Sequence, residues 1–122
     1  MDDAVAYRPF GFDALSEFPP HGVKAPRTQD GVVHPGVMPS WDNSARRPSA
    51  GHVFHGSSPA LFADWLEHAV ERAKKNPRHE QMVFINAWNE WAEGAYLEPD
   101  QRFGYAYLEA CASVLRKQTG SV

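Results

Sequence analysis

A continuous apolar run, Met82 to Ala87, leads directly into a segment crowded with carboxylates, amides and indoles. Such a run is typical of a strand buried on both faces of a parallel sheet. Ahead of it, Ser58 and Pro59 begin a stretch with apolar residues at four-residue spacing, which predicts a helix over 59–76. A second helical pattern covers about 103–117. The repeated order of strand, polar loop and helix predicts an α/β fold with parallel strands joined by helical crossovers.

We treat the whole chain, 1–122, as a single segment with two parts. Residues 1–35 are rich in proline and form an irregular N-terminal part, with one short strand predicted over 11–18. Residues 36–117 carry the β/α units, and a further short strand is expected around 32–38.

The predicted elements are too few for a closed barrel. A (β/α) barrel needs eight strands, whereas the patterns here give two or three short strands and two long helices. The second helical pattern places Tyr105, Leu108, Ala112 and Leu115 on one side of the helix. The chain is then either a compact three-layer fragment or part of a larger fold.

Composition excludes several classes of protein. The 122 residues suffice for one domain, and a net charge of −3 with scattered basic residues argues against nucleic-acid binding. No apolar run approaches the roughly 20 residues of a membrane span. The acidic start and the single cysteine, Cys111, which we expect to be packed within the second helix, favour a cytoplasmic location without an export signal. His52 and His55 have no acidic partner at metal-ligand spacing, so we predict no metal and no cofactor.

Two carboxylates stand out after the apolar run, Glu90 and Glu93. Three residues span roughly 10 Å when extended, but in a helical turn the Cβ atoms would lie about 5–6 Å apart. Carboxyl groups about 5–5.5 Å apart suit a retaining glycosidase, and about 6.5–9.5 Å suits an inverting one. Trp88 and Trp91 supply flat apolar faces on which sugar rings stack. The alternative is a solvated turn beside two core tryptophans.

Polar residues collect where strands of a β/α fold are expected to end. The three clusters are Glu17 to His21, Trp41 to Arg47, and Asn89 to Glu98. Since ligand groups gather at the C-terminal ends of parallel strands, we expect these clusters to face one site.

The motifs resemble a known family. Asn89-Glu90-Trp91-Ala92-Glu93-Gly94 is similar to the Asn-Glu-Trp-x-Glu-Gly pattern of glycoside hydrolase family 99, which holds endo-α-mannosidases and endo-α-mannanases. The likeness is closer to the WbsX family of bacterial polysaccharide biosynthesis proteins, described as glycosyltransferases and as family-99-like. It extends over Phe12-Asp13-Ala14, Glu17 to His21, Gly36 to Arg47, Phe54-His55-Gly56, Phe84 to Gly94 and Gly104 to Ala110.

The resemblance implies the C-terminal part of a (β/α)8 TIM-type barrel, with a missing N-terminal barrel segment as its partner. The stretch between His21 and His34 is shorter than in the family, and Ala92 stands where the hydrolases carry His. By the same resemblance, Glu93 is the general acid/base and Glu90 assists the 2-hydroxyl of the substrate as nucleophile.

The remaining candidate residues are expected to contact the substrate, each with a structural alternative. Asn89 is expected to fix a sugar hydroxyl or to form the turn; Trp41 and Trp88 either stack on sugars or pack in the core. Asp42 and Asn43 either bind hydroxyls or cap their segment, and Arg46 meets a phosphate or forms a salt bridge. The full set is Asn89, Trp88, Trp91, Trp41, Asp42, Asn43, Arg46, Glu17 and His21.

Together these features favour a carbohydrate-active enzyme module that acts on an oligo- or polysaccharide, of the kind found in lipopolysaccharide or O-antigen biosynthesis. Whether it transfers or hydrolyses stays open, since both reactions need an acid/base beside the anomeric carbon. The alternative is a non-catalytic fragment or a glycan-binding remnant of such a barrel.

Overall fold

A computed structural model describes residues 14–17, 32–47 and 49–120, with only the backbone considered for the first of these segments. Its described part is a mixed α/β arrangement of short strands and two long helices. The strands are β1 (Ala14–Glu17), β2 (Gly36–Val37), β3 (Trp41–Asp42), β4 (His52–His55), β5 (Phe84–Ile85), β6 (Asn89–Glu90) and β7 (Ala95–Tyr96); the α-helices are α1 (Pro59–Ala73) and α2 (Ala106–Thr119); short 3-10 helices cover Arg78–Glu80 and Trp91–Glu93.

The described strands form three small sheets. β1 and β4 are parallel, as are β2 and β5, which confirms the expected parallel pairing. Two pairs are antiparallel, β3 with β4 and β6 with β7, and the sequence pattern did not predict them. Two-residue strands are too short to show an alternating pattern. The described strands do not close a barrel.

Helix α1 begins where the sequence predicts it. The Ser58 hydroxyl accepts a hydrogen bond from the Leu61 amide at 3.2 Å, and Pro59 occupies the first turn. The helix ends three residues before the predicted end at position 76, and the Lys75 and Asn76 amides instead bond the Arg72 and Ala73 carbonyls, three residues back, at 3.1 and 3.0 Å. The Gln81 amide donates to the carbonyls of Lys74 and Asn76 at 3.1 and 3.0 Å.

Helix α2 begins at Ala106, three residues after the predicted start at position 103. The Phe103 amide donates to Oδ1 of Asp100 at 2.5 Å, and Gly104 adopts a left-handed conformation with φ of +56°, so the chain turns there and cannot yet be helical.

The buried face of α2 is centred on other residues than the side that carries Tyr105, Leu108, Ala112 and Leu115. The helix buries Tyr107, Cys111 and Val114, whereas Tyr105 and Leu115 are 65% and 52% exposed. Tyr107 fixes this rotation, because its hydroxyl bonds Ser57 at 2.6 Å and its ring packs between those of Phe62 and Phe103. Cys111 is buried as predicted.

Strand β5 is shorter and more exposed than its apolar run predicted. Only Phe84–Ile85 are in strand conformation, and the Phe84 side chain is 59% exposed. β5 pairs with β2 alone, so no described element covers its other edge. The expectation of a strand buried on both faces is therefore wrong for the described residues.

The core lies between the two helices and the strand β2. Helices α1 and α2 pack on each other, and α1 also packs on β2. No described helix combines the length and apolar character needed to cross a membrane. The core fixes the ends of β2, β5 and β7, from which the polar segments extend. Its buried residues include Val37, Phe62, Leu66, Ala69, Leu97, Tyr107, Cys111 and Val114.

Candidate functional site

A tight hairpin holds the Asn-Glu-Trp-Ala-Glu-Gly segment. β6 leads into the 3-10 turn Trp91–Glu93, and Gly94 ends that turn in a left-handed conformation with φ of +61° before β7 returns. Glycine adopts this conformation without the steric cost that a Cβ atom brings. The turn places Glu90 and Glu93 in different surroundings, one on the strand and one at the end of the turn.

Glu93 lies against the polar loop that follows β3. It is 7% exposed, and among the described residues it is the one charged side chain that is buried. Its Oε1 forms an ion pair with Nη1 of Arg46 at 2.5 Å, while Oε2 is buried without a hydrogen-bond partner among those residues. Buried polar atoms are nearly always paired, so Oε2 is the atom of this segment that most requires a ligand.

A second contact joins the same two clusters. The Ser40 hydroxyl donates to the carbonyl of Gly94, one residue beyond Glu93. The expectation that polar residues after different strands meet therefore holds for Trp41–Arg47 and for the Glu93 part of Asn89–Glu98. Arg46 takes the salt bridge that sequence reasoning kept as one of its two options, although its own side chain stays 64% exposed.

The first half of the motif faces solvent. Asn89 and Glu90 are both exposed on β6, and the Trp88 side chain is 52% exposed. Trp88 is thus not a core residue of the described part, which leaves its indole available for stacking. Trp41, in contrast, is half-buried.

Trp91 is exposed yet fixed in orientation. Its ring stacks on Tyr96, with centroids 3.7 Å apart and planes at 14°, and its Nε1 donates to Oε2 of Glu98 at 2.9 Å. One face of the indole is therefore covered by Tyr96. Glu98 therefore fixes the edge of the indole that carries Nε1.

Asp42 and Asn43 form local hydrogen bonds. Oδ1 of Asp42 accepts from the Ser44 amide at 2.9 Å and from its hydroxyl at 2.5 Å, and Oδ1 of Asn43 accepts from the His52 amide at 2.6 Å. The Asp42 bonds match the local capping option, whereas the Asn43 bond joins the loop to β4, nine residues along the chain. They shape the loop that presents Arg46 to Glu93.

A cavity of about 390 Å³ opens beside this junction, within the size range of small-ligand pockets. Glu93 itself is not among its lining residues, but Gly94 is. Sequence reasoning missed the polar residues Tyr96, Asp100 and Tyr107, although Asp100 belongs to the Leu-Glu-Pro-Asp segment that follows the motif. Its lining includes Ser40, Trp41, Asp42, Gly94, Tyr96, Asp100 and Tyr107.

Tyr96 and Asp100 form the most strongly perturbed pair near the cavity. The Tyr96 hydroxyl donates to Oδ2 of Asp100 at 2.8 Å. Burial, reinforced by this hydrogen bond, raises the pKa of Tyr96 to about 12. The hydrogen bond from the Phe103 amide, followed by that from Tyr96, lowers the pKa of Asp100. The pair therefore stays as phenol and carboxylate over the physiological range.

Two predicted residues cannot be placed at the site. Glu17 ends β1, which pairs with β4 in the register Glu17 to His55, and nothing is described of its side chain. His21 lies outside the described residues. Within the described ranges, no three His, Cys, Asp or Glu side chains gather closely enough to hold a metal ion.

Comparison with known proteins identifies relatives of this chain. The family described as glycosyltransferase WbsX matches residues 12–111. Two curated proteins from strains of Xanthomonas campestris pv. campestris, both named uncharacterized protein WxcX, are 38% identical to it over 141 aligned positions. No solved structure matches the chain.

The relatives are much longer. Each match covers 90% of this chain but 20% of the relative, so the chain spans about a fifth of their length. The 141 aligned positions also exceed the 122 residues of the chain, so the relatives carry residues here that it lacks. The predicted short connection between His21 and His34 falls mostly outside the described residues.

Proposed function

We propose, because this chain belongs to the glycosyltransferase WbsX family, that it is a carbohydrate-active enzyme module acting on glycosidic bonds. The observation that carries the proposal is the buried carboxyl of Glu93, with one oxygen paired to Arg46 and the other without a partner among the described residues. A carboxyl that is fixed, largely shielded from water and has one uncommitted oxygen suits proton transfer to a bound ligand.

In this proposal Oε2 of Glu93 transfers the proton. Protonated there, Glu93 gives the proton to the glycosidic oxygen as the bond from that oxygen to the anomeric carbon breaks. The 2-hydroxyl of the substrate forms the new bond to that carbon and gives its proton to Glu90, which returns it when the second step opens this bond. Glu93 is then ionised, the form that the ion pair with Arg46 holds. It next takes a proton from the hydroxyl that attacks the anomeric carbon, which belongs to water in hydrolysis and to a sugar in transfer.

The other predicted residues keep auxiliary roles. Glu90 assists the 2-hydroxyl of the substrate, Asn89 binds a hydroxyl, and Trp88 and Trp41 provide stacking faces. The exposure of Glu90, Asn89 and Trp88 supports contact with a ligand that approaches from solvent or with the rest of a longer protein. The substrate class is a bacterial polysaccharide of the lipopolysaccharide or O-antigen type, and the cytoplasmic location remains a prediction.

The test uses the full chain with a panel of mannose- and glucose-containing oligosaccharides, with and without added acceptor sugars. Mass spectrometry of the products separates hydrolysis from transfer. Glu93→Gln should lower turnover about 10²- to 10⁴-fold while the thermal melt shows that the protein stays folded. Glu109→Gln, an equally conservative change at an exposed position on α2, should leave turnover unchanged. Unchanged turnover in Glu93→Gln would refute the assignment.

A second candidate is a non-catalytic remnant that binds glycans or needs further segments. The observation that favours it is the set of exposed apolar side chains, Phe84, Trp88 and Met82, in a chain that spans a fifth of its relatives. A thermal melt with the size measured in the same sample distinguishes the two. A sharp transition of a monomer supports an independent module, and a broad transition with aggregates supports a piece of a larger fold.

A further inference from the structure

A shallow groove lies on the outer side of the hairpin, separate from the Glu93 carboxyl. It has a volume of about 650 Å³, and Glu93 does not line it. We name it the aromatic groove. Three of its residues, Tyr96, Asp100 and Arg102, also line the first cavity. The full lining is Trp91, Tyr96, Pro99, Asp100, Gln101, Arg102, Gly104 and Tyr105.

One wall of the aromatic groove is a fixed indole. Trp91 is 47% exposed although Tyr96 covers one ring face and Glu98 holds its Nε1. A ring held on one face and at its nitrogen loses little freedom when a ligand covers the other face. Tyr105, which is strongly exposed just before α2, lines the same groove.

Arg102 places a positive charge in the lining of the aromatic groove. Arg102 lies in the turn between Asp100 and Gly104, which is closed by the backbone bond from the Gly104 amide to the Asp100 carbonyl at 2.9 Å. Among the described residues, its guanidinium forms no ion pair and lies 4.8 Å from the centroid of the Phe103 ring. Asp100 lines the groove as well, but both of its carboxylate oxygens are already hydrogen-bonded, since they accept from the Phe103 amide and the Tyr96 hydroxyl.

We propose that the aromatic groove is a subsite for a sugar residue that carries an anionic substituent, a carboxylate or a phosphate. The sugar ring stacks on Trp91 beside Tyr105, and the anion accepts hydrogen bonds from Arg102, whose planar fork fits both groups. The inference rests on the proposed function, because it assigns the groove to a glycan that also reaches Glu93.

The test measures binding by calorimetry with three disaccharides and the full chain. One ends in glucuronic acid, one in glucose, which differs only in having a hydroxymethyl group in place of the carboxylate, and one in phosphorylated glucose. The glucuronide should bind more tightly than its glucose counterpart. Arg102→Gln should weaken the glucuronide about tenfold and leave the glucose form unchanged. Arg116→Gln, the same loss of charge at an exposed position of α2, should change neither.

Each result of the calorimetric experiment either supports or overturns the proposed anion subsite. A preference for the phosphorylated sugar that Arg102→Gln removes assigns the subsite to phosphate rather than carboxylate. Equal affinity for all three sugars, or an anion preference that survives Arg102→Gln, overturns the subsite while leaving the proposed function intact. Glu93→Gln should keep the anion preference despite its loss of turnover. Absence of binding to every glycan would count against both proposals.

Discussion

Glu90 and Glu93 are three residues apart in one motif, yet the fold treats them differently. Glu90 is exposed on a strand of a hairpin, whereas Glu93 is buried at the end of the following turn and paired with Arg46. A carboxylate in water is strongly screened, while one shielded from water interacts more strongly with nearby charges and with a ligand. The comparison teaches that the surroundings of Glu93 are set within the described part of this chain, whereas Glu90 is open to whatever approaches the surface.

The largest difference should appear in turnover. Glu93→Gln should lower kcat about 10²- to 10⁴-fold, as expected for loss of a general acid/base, and Glu90→Gln should cost less. Rates of glycan cleavage or transfer by the two variants, measured at equal folded concentration, give the comparison. A larger loss in Glu90→Gln would reverse the roles.

Removal of the Arg46 guanidinium, which pairs with Glu93, should lower the stability of the protein. Arg46→Met leaves a buried carboxylate without its ion pair, and because Arg46 itself is largely exposed we expect a loss of about 2 kcal/mol in the free energy of unfolding. Urea denaturation measures it. Arg47→Met, the adjacent exposed arginine, is the matched control and should change stability by less than about 0.5 kcal/mol. Equal effects would show that the ion pair adds nothing.

The turn that separates the two carboxylates should depend on Gly94. Gly94→Ala forces a Cβ atom into the left-handed conformation, with an expected cost of about 1 kcal/mol. Steric contact is not the cause, since the added Cβ would lie 3.8 Å from the Asp42 amide. Gly36→Ala is a sharp control, because its Cβ would meet the Phe84 carbonyl at the same 3.8 Å without a left-handed backbone. A larger loss in Gly36→Ala would contradict this explanation.

The hydrogen bond between Tyr96 and Asp100 predicts alkaline sensitivity near the cavity. Burial and this hydrogen bond raise the pKa of Tyr96 in the folded state to about 12, above its ordinary 10.0. The contribution of protonated Tyr96 to the free energy of unfolding is therefore complete below pH 10 and is lost as the pH rises towards 12. Tyr96→Phe should therefore flatten the fall in thermal stability over that range. An unchanged pH profile in the variant would show that Tyr96 is not the group responsible.

The smallest predicted effect is that of the exposed Glu90 on the stability of the protein. Glu90→Gln removes a solvated charge and should shift the free energy of unfolding by less than about 0.5 kcal/mol. A thermal melt checks it. A loss comparable to that of Arg46→Met would mean that Glu90 is not surrounded by solvent in the protein.

The sequence predicts the local features of this site well. Ser58 and Pro59 mark the start of α1, because helix caps use neighbouring residues. The Trp41–Arg47 cluster meets the Glu93 region as expected, although the strands beside them, β3 and β6, are antiparallel to their partners rather than parallel. The family resemblance over residues 12–111 is likewise confirmed.

Other features depend on contacts that no local pattern contains. The rotation of α2 follows from Tyr107, whose hydroxyl reaches Ser57 from 50 residues away. Apolar residues occur around most of that helix, so spacing alone could not choose the face. The pairing of Arg46 with Glu93 has the same origin, since the sequence shows that two clusters meet and not which side chains pair. The roles of Glu93, Glu90 and the binding residues remain predictions.

If Glu93 protonates the departing oxygen, as we propose, the Glu93→Gln variant of the full chain should distinguish between leaving groups. Dinitrophenyl α-mannoside releases a stable anion and needs no proton, whereas an unactivated α-mannobioside needs one. We expect Glu93→Gln to release dinitrophenol in a single turnover at a rate close to that of the unaltered protein. On the mannobioside we expect a large loss of rate. Equal losses on both substrates, or no loss on either, would contradict the assignment of Glu93 as the acid.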